Sequence, residues 1–320
     1  MASQKERVQR TGYELVVVWV DESAVLGADE GRISRKEEAF REAEKRYGGS
    51  GVDFMIKKIE DIYSVKSAVS EVLGESGVAE PAEANGFAED DNRGRLQRLI
   101  LSLLALTSRA DILYQLRSRL LIHLAETLSC TAILYSQSTT ALAQLVLSET
   151  VKGRGYSMPW QISDGMMPYL AKTSTGSNGV RIFFPLRDIL RKELLRFVEL
   201  TEGLPEIEVD VKGPTVGPAV AVNAKTTTID DLMRGYFENM EDAYPSIVAN
   251  VVKTASRLVP PSVEEGGGGW CKVCGLPKDV AVDLDMVYAE AEGPKGGGQR
   301  EMCSGCARNM EGARGQVWPL

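Results

Sequence analysis

The chain has 320 residues, a 43% hydrophobic fraction and a net charge of −8, enough for one large α/β domain with a small appendage or for two modest domains. No apolar run reaches the length of a membrane-spanning helix, and the N-terminal stretch has no signal-peptide apolar region followed by a small-residue cleavage site, so a cytosolic protein is expected. Five cysteines in such a chain point to metal ligands or reactive thiols before disulfides.

Residues 14–20 (ELVVVWV) form a β-branched run suited to a strand buried on both faces, ending in Asp21-Glu22-Ser23. Ser34 with Glu37 three positions on opens a polar helix over 34–46 with a capping-box pattern. Gly48-Gly49-Ser50-Gly51 then reads as a helix end and turn. A phosphate cradle needs the opposite order, strand then loop then helix. Val52 to Ile56 is a second strand. Residues 74–92 read as an acidic insertion; residues 71–91 hold seven acidic side chains and no basic one.

Helices are expected near 95–106 and 109–128, the second with Ile112, Leu113, Leu116, Leu120, Ile122 and Leu124 as apolar positions. Thr131 to Tyr135 is a third strand, Thr139 to Thr150 a helix and Arg181 to Phe184 a short strand. Pro185 to Leu200 is an amphipathic helix with Leu186, Ile189, Leu190, Leu194, Phe197 and Val198 on its inner side. Strands alternating with helices predict an α/β fold with a parallel sheet flanked by helices. Residues 1–201 are assigned to this domain. Residues 202–262 are assigned to a linker with two helices, near 229–242 and 245–258. Pro260-Pro261 and Gly266 to Gly269 mark a boundary before a small terminal module, 263–320.

Cys271 and Cys274 form one C-x2-C pair, Cys303 and Cys306 another, with 28 residues between the pairs. Two such knuckles complete a closed four-thiolate set, which suits structural zinc in a zinc-ribbon-like module; an iron–sulfur cluster takes the same four ligands and is the alternative. The module is too small to fold on its own core, so metal would supply folding energy. A closed site is expected to dock a partner or RNA and to perform no chemistry.

Elsewhere, Cys130 at the start of a buried strand reads as a structural thiol, and His123, the single histidine, has no second histidine or adjacent nucleophile to serve. From Arg93 to Leu200 there are fourteen Lys/Arg against seven Asp/Glu, which fits either a polyanion-binding face or ordinary helix-surface charge. Within this stretch Lys152-Gly153-Arg154-Gly155-Tyr156-Ser157-Met158-Pro159-Trp160 combines two cations, two glycines and two aromatics. It suits RNA phosphates with base stacking, or a surface loop with Trp160 buried. If Arg187, Arg191 and Lys192 share its face, a basic patch of Lys152, Arg154, Arg187, Arg191 and Lys192 results.

Val20-Asp21-Glu22-Ser23, Ser138-Thr139-Thr140, Leu147-Ser148-Glu149-Thr150-Val151-Lys152-Gly153-Arg154-Gly155 and Pro185-Leu186-Arg187-Asp188-Ile189-Leu190-Arg191-Lys192-Glu193, with the terminal cysteine pairs, resemble the cytoplasmic tRNA 2-thiolation protein 2 family. The resemblance covers about residues 13–310 and is most specific from Asp111 to Thr201. It implies a PP-loop ATPase superfamily domain with an adenine-nucleotide α-hydrolase-like fold. It also implies a role in 2-thiolation of the wobble uridine of cytosolic tRNAs for Lys, Glu and Gln. The implied partners are the catalytic thiolation subunit, in a heterodimer, the tRNA, and a ubiquitin-related sulfur-carrier protein.

Two departures stand out. Active superfamily members place an SGG-x-[DS]-S phosphate loop after their first strand, and nothing like it precedes Tyr13. The N-terminal cysteine knuckle is missing too. The chain is thus expected either to start partway through the fold or to have lost the nucleotide site. Active relatives also carry Gly-His-Asn-x-Asp-Asp where this chain has Ser136-Gln137-Ser138-Thr139-Thr140-Ala141, so no carboxylate remains to help hold a magnesium–nucleotide complex. The expectation is a tRNA-binding, non-catalytic subunit. The alternatives are an active ATP-dependent sulfurtransferase whose phosphate loop lies outside this sequence, and a zinc-ribbon interaction protein with no RNA role.

Overall fold

The computed structural model describes residues 12–26, 30–49, 51–65, 89–169, 179–205, 227–259, 269–278 and 302–310. The fold is α/β, with parallel strand pairs flanked by helices. Strand β1 (Leu15–Asp21) leads through a single turn, α1 (Ser23–Leu26), to α2 (Glu30–Tyr47) and β2 (Val52–Lys58). The two strands pair in parallel from Leu15–Val52 to Asp21–Lys58. Helix α2 covers them through Phe40, whose ring lies 5.8 Å from Trp19 and 5.4 Å from Phe54. Full burial of β1 is not realised. Every one of its residues is half-buried, because among the described residues it hydrogen-bonds to β2 alone and its other edge is open.

A 3₁₀ turn (Ile59–Ser64) buries Ile59 and Ile62. Then come α3 (Glu89–Ser102), α4 (Leu106–Thr127), β3 (Ile133–Leu134), α5 (Thr139–Val151), α6 (Met158–Ile162), β4 (Gly165–Pro168) and β5 (Gly179–Phe183). Strand β5 lies between the other two, parallel to β3 and antiparallel to β4. The antiparallel β4 and the short α6 have no counterpart in the sequence reading: four- and five-residue elements carry too little periodicity to register. Most of the acidic insertion lies outside the described residues, and Glu89 to Asn92 open α3.

Helix α4 is the centre of the core. Ile112, Leu113, Leu116, Leu120 and Ile122 are buried as their spacing predicts. They pack in one cluster with Leu96 and Leu99 of the preceding helix and Leu103 just after it, and with Ile182 of β5 and Phe184 just beyond that strand. Each such side chain contributes about 1.5–3 kcal/mol relative to exposure. Helix α7 (Arg191–Leu200) departs from expectation. None of its residues is fully buried, and Phe197 is 62% exposed. The segment 185–190 is a turn that precedes the helix.

Helices α8 (Ile229–Ala243) and α9 (Pro245–Ala255) follow the linker, of which 206–226 lie outside the described residues. Thr228 caps α8 by accepting from Asp231 N at 3.0 Å, and Asp230 and Asp231 complement the helix N-terminus. Phe237, Val248 and Val252 of this pair enter the same cluster as α4, and so do all four cysteines of the terminal segment. The boundaries at 201/202 and 262/263 therefore do not separate hydrophobic cores: among the described residues all three segments share one. No helix among them is long and apolar enough to cross a membrane.

Candidate metal centre and its buried charge cluster

Cys271 N donates to Leu276 O and Gly275 N to Cys271 O, both at 2.9 Å, closing the first knuckle. Gly275 has φ +74°, and a Cβ there would fall onto the Tyr169 ring. Only glycine meets both constraints. The second knuckle opens α10 (Ser304–Asn309), with Cys303 at its N-cap and Ala307 N donating to Cys303 O. All four cysteines are buried, and their sulfurs lie within 4.8 Å of one another. This is a closed, soft-donor set able to hold a metal ion, as the paired spacing predicts. Hydrogen bonds from the other three thiols hold Cys271 below the ordinary thiol range, while the same crowding pushes Cys274 and Cys306 up.

The module is seated on α4 by a polar stripe. Ser108, Asp111, Gln115 and Arg119 recur at helical spacing on a helix otherwise apolar inside, and all four are buried. Arg119 donates to the Lys272 and Val273 carbonyls at 2.5 and 3.1 Å and to Tyr169 Oη at 2.7 Å. Asn309 of α10 donates to Asp111 Oδ2 at 2.6 Å and faces Ser108 Oγ at 3.3 Å.

Lys152 and Arg154 meet this stripe from the other side. After α5 the chain turns at Gly153 (φ +84°), with Arg154 N donating to Glu149 O at 2.8 Å. Both cationic side chains then point inward and are 2% and 1% exposed. Lys152 Nζ lies 3.1 Å from Asp111, 2.8 Å from Glu149 and 3.1 Å from Asp230. Arg154 pairs with Asp111, and its Nε lies 2.6 Å from Glu149. Burial alone would push the Glu149 carboxyl up; Arg154 and Lys152 outweigh it and hold it at about 2. Burial likewise works against the Lys152 ammonium, and Glu149, Asp111 and Asp230 more than reverse it.

The structure therefore does not gather the five expected RNA contacts on one face. Lys152 and Arg154 are the centre of an interior ion cluster, because three carboxylates, the nearby Glu149 and the sequence-distant Asp111 and Asp230, neutralise them there. Trp160 is buried beside Tyr156, their rings 5.7 Å apart. Arg187, Arg191 and Lys192 lie near α8 and α9. Arg187 contacts Asp164 at 3.4 Å and Ser256 at 2.8 Å, Arg191 pairs with Glu238 at 3.3 Å, and Lys192 Nζ reaches the Glu241 carbonyl at 2.7 Å. Of these, the Arg191 side chain is the most open, 46% exposed. Cys130 is exposed, not the buried thiol its position suggests. The cluster members Asp111, Asp230 and Asn309 escaped the sequence reading. The readable signal was the 108/111/115/119 stripe, since buried polar residues at helical spacing imply a polar partner.

A family profile described as cytoplasmic tRNA 2-thiolation protein 2 matches residues 228–310, from α8 through both cysteine pairs. Relatives carrying that description include a Pyrenophora tritici-repentis protein, 34% identical over 319 residues, which are 96% of this chain and 75% of the relative. A Phaeosphaeria nodorum protein is 37% identical over 276 residues, 86% and 65% of the two chains. One from Sclerotinia sclerotiorum is 37% identical over 253 residues, 78% and 60%. The chain thus spans between three fifths and three quarters of these relatives' lengths. Among solved structures, the U34-tRNA thiolase NcsA from Methanococcus maripaludis with its 4Fe-4S cluster aligns with a TM-score of 0.47 at 14% identity, covering 87% of this chain and 76% of that one. On the strength of its sequence relatives, the chain belongs to the cytoplasmic tRNA 2-thiolation protein 2 family.

Proposed function

We propose that the chain acts in the cytoplasm as a tRNA-binding, non-catalytic subunit in 2-thiolation of the wobble uridine of tRNAs for Lys, Glu and Gln. It pairs with the catalytic thiolation subunit, and sulfur reaches that complex on a ubiquitin-related carrier protein. The observation that carries this reading is family similarity along almost the whole chain. The chemistry of the chain supports the non-catalytic part. The four clustered thiols form a closed set, and the segment 136–141 offers hydroxyls and an amide but no carboxylate. Arg187, Arg191 and Lys192 are the proposed RNA contacts, and Lys152 and Arg154 drop out of that set because the cluster buries them.

Zinc is the proposed metal. Four thiolates on one ion at about 2.3 Å place their sulfurs roughly 3.8 Å apart, and the four sulfurs here lie within 4.8 Å of one another. A four-iron cluster gives each cysteine its own iron and spreads the sulfurs further. Zinc held this way would tie the two knuckles together and leave no open position for substrate.

The test is expression with the catalytic subunit in cells lacking the native gene, followed by measurement of wobble thiolation and of bound metal. Restored thiolation with one zinc per chain supports the reading. Co-purification without thiolation removes the functional assignment, and iron in place of zinc removes the metal assignment. Arg191→Glu should weaken tRNA binding without changing the melting temperature; unchanged binding would take Arg191 out of the RNA face.

A further inference from the structure

The buried cations at 152 and 154 belong to neither catalysis nor RNA contact in this reading, yet they lie against the cysteine module. Arg154 Nη1 is 3.9 Å from Cys306 Sγ. The same guanidinium is held by Asp111 and Glu149. A Cβ on Gly305 would lie 2.7 Å from Arg154 Cγ and 2.9 Å from Lys152 O, so α10 sits on the 152–154 turn with no spare room. Asn309, at the far end of that helix, returns to Asp111. Arg154 therefore bridges a metal ligand and two buried carboxylates with one rigid fork.

The four sulfurs suit a divalent ion, and four thiolates around one leave a net negative centre. A guanidinium donating to one of those sulfurs is a charge-assisted hydrogen bond. Groups that orient metal ligands in this way typically change metal affinity by about 10- to 100-fold. We infer that Arg154 is a positioning residue for the metal centre, tying the Asp111–Glu149–Lys152–Asp230 cluster to Cys306 so that metal occupancy and order in residues 149–157 rise and fall together. The inference rests on the metal reading above. It gives a second use to a loop whose composition suggests RNA: the Lys-Gly-Arg-Gly turn is the seat of the metal module.

Two measurements on the full chain test it. In the first, amide exchange is compared before and after chelation of the metal from the wild-type protein. Protection should fall at least about tenfold in 149–157 together with 271–278 and 303–309, while β1 and β2 keep theirs. Unchanged protection at 149–157, or a uniform loss over the whole chain, overturns the coupling. In the second, cobalt replaces the native metal and Arg154→Gln is compared with wild type. Asp111→Asn/Arg154→Gln is added because it leaves no new unpaired charge at position 111. The sulfur-to-cobalt charge-transfer band should shift in both variants, and chelator should strip their metal about tenfold faster. Arg154→Lys should restore part of each effect. Wild-type band and release rate in both variants overturn the role of Arg154 while leaving the metal reading intact. A wild-type chain that binds no metal sinks both.

Discussion

Replacing Lys152 with methionine separates an interior ion cluster from a surface RNA loop more sharply than any other single change. The ammonium lies within 3.1 Å of Asp111, Glu149 and Asp230, and its side chain is 2% exposed. Methionine keeps the stem and removes the charge, leaving Asp111 and Glu149 to share Arg154 and taking from Asp230 its ion-pair partner. Breaking a buried pair by deleting one partner costs about 3–5 kcal/mol. For a chain of this size that lowers the melting temperature by about 10 °C. At a solvent-facing position the same substitution would stay within about 0.5 kcal/mol.

The pH dependence supplies an internal check. Glu149 is held at about 2 in the fold against an ordinary 4.5. Its contribution is therefore complete above pH 4.5 and is lost as pH falls toward 2. The variant lacks one of the two cations responsible, so the gap between wild type and variant should close over that window. Thermal melts followed by circular dichroism at pH 7, 4 and 3 read both effects. A loss below about 1 kcal/mol at pH 7, or a gap that widens in acid, would refute the buried cluster.

Other outcomes follow from single contacts. Glu149→Gln should destabilise the fold by about 3 kcal/mol at pH 7 and flatten the acid limb of the stability curve, measured by urea titration at each pH. On the alkaline side, burial pushes Tyr114 and Tyr169 up to about 12. Their contribution is complete below pH 10 and lost as pH rises from 10 to 12, so Tyr169→Phe, which starts lower because it lacks the Arg119 hydrogen bond, should lose less stability than wild type between pH 9 and 11. Gly275→Ala forces a Cβ onto the Tyr169 ring at a left-handed position; about 2 kcal/mol or more of stability and much of the bound metal should be lost, and a metal content equal to wild type would count against the knuckle geometry. Thr228→Ala removes the cap of α8 and should lower stability by about 1 kcal/mol without touching metal content.

Much of this protein was legible one residue at a time. The β-branched run at 15–21, the periodic apolar face of α4 and the turn after α2 depend on local preferences, so they appear in the fold near their expected bounds. The two C-x2-C pairs are equally local: each knuckle is a short turn, and soft thiolates converge on one ion however long the segment between them. The Phe197 face of α7 reads as buried because amphipathic spacing shows which side of a helix is apolar, not whether anything covers it.

What the tertiary structure alone decided is the meaning of the charges. Lys152 and Arg154 have the composition of an anion-binding loop whether they face water or the core. Their direction is set by Asp111 and Asp230, 41 and 78 residues from Lys152, and by Asn309 beyond them. Local sequence carries conformational preference, but the energy of a buried ion depends on which opposite charges the fold brings within about 4 Å of it in a low-dielectric interior. Composition determined that a metal-capable module and an α/β core exist in this chain; only packing determined that they are one body, joined through the cations that looked like its RNA face.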